Sequence, residues 1–370
     1  MVMLGASNIR RATMRWIGIP SLLLALVTSG CAGHSENVLI PSADGGGTPV
    51  DILVMSTREK SPTPGQIYGG ERARDWSLSR VVVSVPPSKA RKIGKVQWPR
   101  RYPPNAATEF ATLSAASVSG AQVDDWFLSV AGRRRKVLIF VHGFNNSFAE
   151  ALYRLAQVKT DSGTDAAPIL FTWPSRGGPF AYLYDKESAT YSRNALEYLI
   201  DRAAKDRNVT DITILAHSMG NWLALEALRQ LAIRRGHLPE KVRNVIMASP
   251  DVDVDVFRLE YEQFRGPKPK VTLFLSKDDS ALSISRFLSG EKDRLGSIDP
   301  DVEPYRSKLQ NADLSVVDLT KVSSGDRFHH GKFAESPEIV RLIGKRLIEG
   351  QDISGTDLVT GMRLPILMDR

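Results

Sequence analysis

From residue 137 onward the chain alternates between two kinds of segment, and this alternation limits the fold more than any other feature. Residues 137–141, 169–173, 212–215, 242–248, 271–275 and 314–319 are short runs of strand length, apolar along most of their length. Between or after them, residues 147–158, 188–204, 221–234 and 337–348 carry apolar residues at helical spacing, as in Phe148, Leu152, Leu155 and Val158. A strand without polar alternation is buried on both faces. Such strands joined by amphipathic helices predict right-handed crossovers and a mostly parallel sheet flanked by helices, the α/β class. Residues 51–349 are expected to form one domain. Upstream, residues 52–55 and 81–85 are β-rich, residues 86–105 read as a basic, proline-rich surface excursion, and residues 108–130 have room for a helix that includes 123–128.

Hydrophobic residues make up 42% of the chain and charged residues 24%, enough to build a packed core. A net charge of +8 over 370 residues is a mild basic excess. No zinc-finger spacing, RNA-binding aromatic motif or internal repeat accompanies it, so no nucleic-acid partner is expected. Cys31 is the single cysteine, which excludes an intrachain disulfide and a cysteine-based metal site. Ahead of it, Arg10, Arg11 and Arg15 form a positive region. Residues 16–27 form an apolar run broken by Gly18 and Pro20, and Thr28, Ser29 and Gly30 follow. This reads as an export signal, and the run is short for a membrane span. The S-G-C-A ending resembles a bacterial lipoprotein signal, although Thr28 stands where leucine is usual. The resemblance implies lipid attachment at Cys31, an exported protein of the cell envelope, and a membrane contact through that anchor. Residues 1–31 would be the signal, 32–50 a flexible tether, and 350–370 a tail without assigned structure.

The chemistry concentrates at A-H-S-M-G, residues 216–220, between an apolar strand and an apolar-periodic helix. A sharp strand-to-helix turn needs small residues where the two backbones approach, and Ala216 and Gly220 supply them. The pattern is one methyl away from G-x-S-x-G, the turn that exposes a nucleophilic serine above the carboxyl edge of a parallel sheet. Ser218 is the candidate nucleophile, and the Met219 N–H at the helix start faces the reacting centre. The plainer role for Ser218 is a helix cap.

A serine hydroxyl needs a base, and the base needs an orienting acid. Of six histidines, His329 and His330 lie between the last strand and the last helix. The acid is expected between serine and histidine in chain order. Asp278 and Asp279 follow a strand in S-K-D-D-S-A-L, with Asp279 preferred. Asp251 and Asp253, in A-S-P-D-V-D-V-D-V-F, are the rivals. Asp251, Asp253, Asp255 and Glu262 also match calcium-loop spacing, but Val256 stands where that loop turns on glycine, so a structural loop is expected. A second oxyanion donor is expected from the loop I-F-V-H-G-F-N-N-S-F. There Gly143 permits close approach, the Phe144 N–H donates, and His142 shapes the loop or is simply a buried histidine.

These residues resemble the α/β-hydrolase superfamily, and more narrowly a bacterial family of exported or lipid-anchored hydrolases with no assigned substrate. The similar pieces are M-S-T-R-E, G-G-E-R, V-S-V-P-P, I-G-K-V-Q-W-P, F-V-H-G-F-N-N-S-F, F-T-W-P-S-R-G, A-H-S-M-G, S-K-D-D-S-A-L and H-G-K-F-A-E-S-P, spread over residues 52–348. The resemblance implies Ser218 as nucleophile, Asp279 as acid and His330 as base, without metal or organic cofactor. The function expected is cleavage of an ester or related acyl bond in a small-molecule substrate. Two other readings stay open: an acyltransferase with the same triad, and a non-catalytic envelope lipoprotein. Trp173, Pro174, Tyr182, Tyr184 and Trp222 line a cleft or, by default, pack.

Overall fold

The computed structural model describes residues 38–42, 46–130, 135–310, 312 and 314–349, all within one compact unit, Ser35–Arg370. The segment expected to direct export, Cys31 and residues 350–370 lie outside the described residues. Among the described residues no helix is long and apolar enough to cross a membrane.

Among the described residues nine strands form one sheet: β1 (Thr48–Lys60), β2 (Tyr68–Val85), β3 (Ala111–Ser117), β4 (Lys136–Val141), β5 (Ala167–Thr172), β6 (Asp211–His217), β7 (Val242–Ala248), β8 (Lys270–Leu275) and β9 (Leu314–Asp318). Their spatial order is β3-β2-β1-β5-β4-β6-β7-β8-β9. The pairs β1–β2 and β2–β3 are antiparallel, and every other pair is parallel. The parallel block fulfils the sequence expectation, and its cause is visible in the side chains. Val137, Ile139 and Val141 of β4 enter one apolar cluster, whereas Leu138 and Phe140 enter the other. Successive residues of a strand face opposite ways, so an uninterrupted apolar run fills both. Each such side chain taken from water contributes about 1.5–3 kcal/mol.

The crossovers cover both faces. Helices α1 (Gly120–Val130), α3 (Tyr182–Tyr191), α4 (Arg193–Lys205), α5 (Met219–Arg235) and α6 (Val254–Glu262) place apolar residues in the first cluster. The second is covered by α2 (Phe148–Asp161), α9 (Lys332–Glu335) and α10 (Pro337–Glu349). α7 (Ser280–Leu288) and α8 (Tyr305–Gln310) lie between β8 and β9 in the chain. Ser147 caps α2 in a reciprocal box with Glu150, which fixes where the loop after β4 ends.

Several boundaries differ from the sequence reading. Residues 111–117 form a strand, β3, where a helix was expected to have room. The helix expected over 188–204 is two helices that meet at Ser192, whose Oγ bonds the Ser188 carbonyl and the Thr57 hydroxyl. The acidic run expected as a loop begins α6, because the Asp253 side chain accepts from the Asp255 and Val256 N–H groups as an N-cap. Val38 and Leu39, assigned to the tether, are buried in the second cluster, and the Tyr153 hydroxyl holds the Val38 carbonyl.

Between β4 and β6 the chain order changes direction. The crossover from β4 leads to β5 on one side, and β6 returns to the other. At such a switch point the crevice beyond the carboxyl ends of the strands is open to a ligand.

Candidate active site

Ser218 stands at that crevice, between β6 and α5. Its backbone is at φ 52, ψ −125, a left-handed-side conformation that a non-glycine residue adopts only when its surroundings impose it. Its side chain makes no capping bond to α5, so the helix-cap role is not the one it plays. The turn is fixed from all sides. The Ser218 N–H donates to the Ala248 carbonyl, and the Ser218 carbonyl accepts from Asn221 and Asp251 N–H groups. Gly220 is required by space: a Cβ there would lie 2.3 Å from the His142 carbonyl oxygen. A Cβ on Gly143 would lie 2.8 Å from the Ser218 Cβ and 3.0 Å from His217 Nδ1. The loop after β4 therefore touches the serine turn through bare backbone. Among the described residues neither the Phe144 nor the Met219 N–H donates to another protein group.

On the other flank, the loops after β8 and β9 meet. His330 Nδ1 donates to Asp279 Oδ2 at 2.7 Å, and Asp279 is fully buried. Its other oxygen caps α7 by accepting from the Leu282 N–H. The pair is brought against the serine turn through His217. The His217 ring lies 4.7 Å from the His330 ring, and its Nε2–H donates to the His330 carbonyl at 3.3 Å, as does the Ser249 hydroxyl. Burial pulls the His330 imidazole down. The Asp279 charge and hydrogen bond, with Asp251 and Asp326 further off, outweigh it and leave the group above the ordinary histidine value. His217 is held well below that value by burial and by the neighbouring His330.

The rivals are engaged elsewhere. Asp278 accepts from the Lys332 ammonium at 2.7 and 2.9 Å and from the Ser276 hydroxyl. Although burial pushes its carboxyl up, these contacts hold it below the ordinary aspartate value. His329, at φ 56, is half-exposed, 3.9 Å from Asp278. Asp251 accepts from the Tyr182 and Ser285 hydroxyls and pairs with Arg294 at 3.3 Å. The five aromatic-region residues are structural in their contacts. Trp173 stacks on His142 and bonds its carbonyl, Pro174 is buried, Tyr184 lies under Arg176, and Trp222 bonds Thr190. Tyr182 packs edge-on against Phe144 as well as bonding Asp251.

Three supporting residues escaped the sequence reading. Lys332, fully buried, ties the two loops by donating also to Ser276 Oγ and to the Leu319 and Thr320 carbonyls. Asp326 accepts from the Phe328, His330 and Gly331 N–H groups and so fixes the turn that carries His330. Arg58 reaches the loop after β4 from the end of β1. Lys332 and Arg58 lie inside quoted motifs, where a charged residue among motif neighbours was the only signal, whereas Asp326 lies four residues ahead of one and gave none.

A profile of the family described as "Alpha/beta hydrolase of unknown function (DUF900)" matches residues 121–346, more than half of the chain. The chain belongs to this family. It is thus an α/β hydrolase in fold and class, as the strand order and the serine turn indicate. No curated protein matches it. Among solved structures it is similar to Aspergillus fumigatus lipase B, at 21% identity and a TM-score of 0.25 over 33% of this chain and 26% of the lipase. It is also similar to a lipase-esterase related protein from Clostridium acetobutylicum, at 14% identity and a TM-score of 0.33 over 58% of this chain and 96% of that one. One of two fungal esterases from Rhizomucor miehei is similar at 13% identity and a TM-score of 0.33, over 74% and 79% of the respective chains. At these scores the likenesses carry no argument beyond the family match.

Proposed function

We propose that the protein is a serine hydrolase that cleaves an ester or related acyl bond. Ser218 is the nucleophile, His330 the general base and Asp279 the orienting acid. The Asp279–His330 bond of 2.7 Å, held against the strained Ser218 turn through His217, is the observation that carries the reading. Ser218 Oγ attacks the acyl carbonyl while His330 Nε2 takes its proton. The Asp279 carboxylate stabilises the imidazolium and keeps Nε2 turned to the serine. Negative charge on the carbonyl oxygen is met by the Phe144 and Met219 N–H groups, each contributing about 3 kcal/mol on the usual mutagenesis scale. His330 then protonates the leaving group, and water activated by the same residue releases the acid from Ser218.

We also propose that the chain is exported and lipid-anchored through Cys31, on the strength of the positive, apolar and S-G-C-A segments in order. Tritiated palmitate incorporation, lost in Cys31→Ala, tests this.

The hydrolytic reading is tested by treating the full chain, in detergent, with a fluorophosphonate probe. Wild type is expected to label on Ser218, with Ser218→Ala and His330→Ala unlabelled. Folded wild-type protein that does not label would falsify the mechanism. Transfer of the acyl group from Ser218 to an added alcohol in preference to water would convert the reading to an acyltransferase.

A further inference from the structure

We infer that Arg58 is the positioning residue of the oxyanion loop: it fixes the tautomer of His142 and, through it, the plane of the Gly143–Phe144 peptide. This rests on the hydrolytic reading, because it concerns how the Phe144 N–H is aimed.

Arg58 closes the buried run of β1 and is 1% exposed. A guanidinium has five N–H donors and no acceptor. All five are used. Nε donates to Thr172 Oγ1 at 2.7 Å, and Nη1 to the Gly69 and Ser175 carbonyls at 3.0 and 2.9 Å. Nη2 donates to His142 Nε2 at 3.2 Å and to the Asn146 carbonyl at 2.7 Å. None of these acceptors is a carboxylate. Burial draws the group down to about 10, with Asp185, Glu150 and Tyr184 opposing from a distance, so it stays charged at neutral pH. A buried charge without a contacting counter-charge is costly, and an apolar residue of similar volume usually packs there at least as well. Packing alone gives no reason for an arginine.

The bonds of Nη2 give one. The same nitrogen holds both ends of the turn from His142 to Asn146, with Phe144 between them. Because a guanidinium can only donate, His142 Nε2 must accept. The Trp173 N–H, also donating to Nε2 at 3.2 Å, imposes the same requirement. The ring proton is therefore on Nδ1, where it donates to the Gly143 carbonyl at 2.9 Å. A trans peptide carries its C=O and N–H on opposite sides. Holding the Gly143 carbonyl to the His142 ring aims the Phe144 N–H away from that ring. The rest of the turn is pinned as well. Asn145, at φ 57, donates its N–H to Asp185, and Asn146 donates its own to Ser175 Oγ, which in turn donates to Asp185. Arg58 lies outside the 121–346 family match, so the β1–β2 hairpin completes a site that the matched segment contains only in part.

Lysine, with three donors on a point charge, cannot hold both Nε2 and the Asn146 carbonyl while meeting the other three acceptors. The test has two arms on the full chain. Nitrogen NMR of histidine-labelled wild type is expected to show His142 protonated on Nδ1 and bare on Nε2 from about pH 5 to about pH 9. A proton on Nε2, or titration in that range, overturns the inference. In Arg58→Lys, kcat on the best of a p-nitrophenyl ester series is expected to fall about 10- to 100-fold with KM within about threefold. Unchanged kcat, or a loss confined to KM, overturns it. If Arg58→Lys does not fold, Arg58→Gln replaces it in the kinetic arm, read by the same kcat and KM criteria. Failure of wild type to label with fluorophosphonate sinks the hydrolytic reading instead, and the His142 tautomer read by the same NMR in Arg58→Lys, mixed if Arg58 fixes it and unchanged if it does not, still tests what Arg58 does to the loop.

Discussion

The two flanks of the serine turn each rest on a histidine, His142 fully buried and His330 partly so, and the two are driven in opposite directions. At His330, burial is outweighed by Asp279, with Asp251 and Asp326 behind it, and the imidazole lies above its ordinary value. At His142, burial is reinforced by the Arg58 charge, and the imidazole lies well below it. Desolvation alone would give both rings the same fate. The sign of the neighbouring charge makes one a group that can exchange a proton near neutral pH and the other a fixed neutral acceptor. The supports differ in kind as well. The His330 flank is a set of charge pairs between two adjacent loops, whereas the His142 flank is an arginine from another strand holding uncharged acceptors. On the proposed mechanism, in which one side moves a proton and the other holds a dipole still, the two sides use opposite electrostatics.

The widest separation of the flanks comes from Asp279→Asn. It is expected to cost about 10³- to 10⁴-fold in kcat while leaving the His142 tautomer untouched. Ester turnover and histidine NMR on the same sample check both halves. Next is Lys332→Met, which removes a buried ammonium that joins the β8 and β9 loops. It is expected to destabilise by about 2–4 kcal/mol in urea unfolding, and a change under about 0.5 kcal/mol would show the pair to be idle.

Gly143→Ala forces a Cβ against the Ser218 side chain and is expected to lower kcat by about tenfold with a smaller effect on stability. The pH dependence of kcat/KM sharpens the contrast further. In the proposed mechanism activity requires neutral His330, so it is expected to be lost as pH falls through a value above the ordinary histidine pKa. The same pair stabilises the fold with the opposite sign: its contribution is full below the unfolded pKa and is lost as pH rises through the folded one. An acid limb at or below the ordinary value would contradict this assignment. The smallest effect is assigned to His329→Asn. Asparagine tolerates the positive φ, and turnover is expected to stay within about twofold of wild type.

The strands of the parallel block were legible because burial on both faces leaves a local signature: β4 and β7 can be read from V-L-I-F-V and V-R-N-V-I-M-A. The serine turn was legible from its five-residue pattern, although the space that demands Gly220 is set by the Val141 and His142 carbonyls at the end of neighbouring β4 and not by its own strand. β3 was not, because A-T-L-S-A-A-S has no strong period and gains its place by pairing with β2. Nor was α6, whose start depends on one capping aspartate in a run of three.

What the sequence determined by itself was therefore the class of fold, the position of Ser218 and the short windows holding the aspartates and histidines, because each depends on neighbours along the chain. The tertiary structure alone decided that Asp279 rather than Asp278 or Asp251 faces His330. It alone decided that Lys332 takes the adjacent carboxylate, and that an arginine 84 residues before His142 reaches its ring. Those choices depend on which groups meet across the carboxyl edge of the sheet, where distance in space and charge, not spacing in sequence, set the pairing.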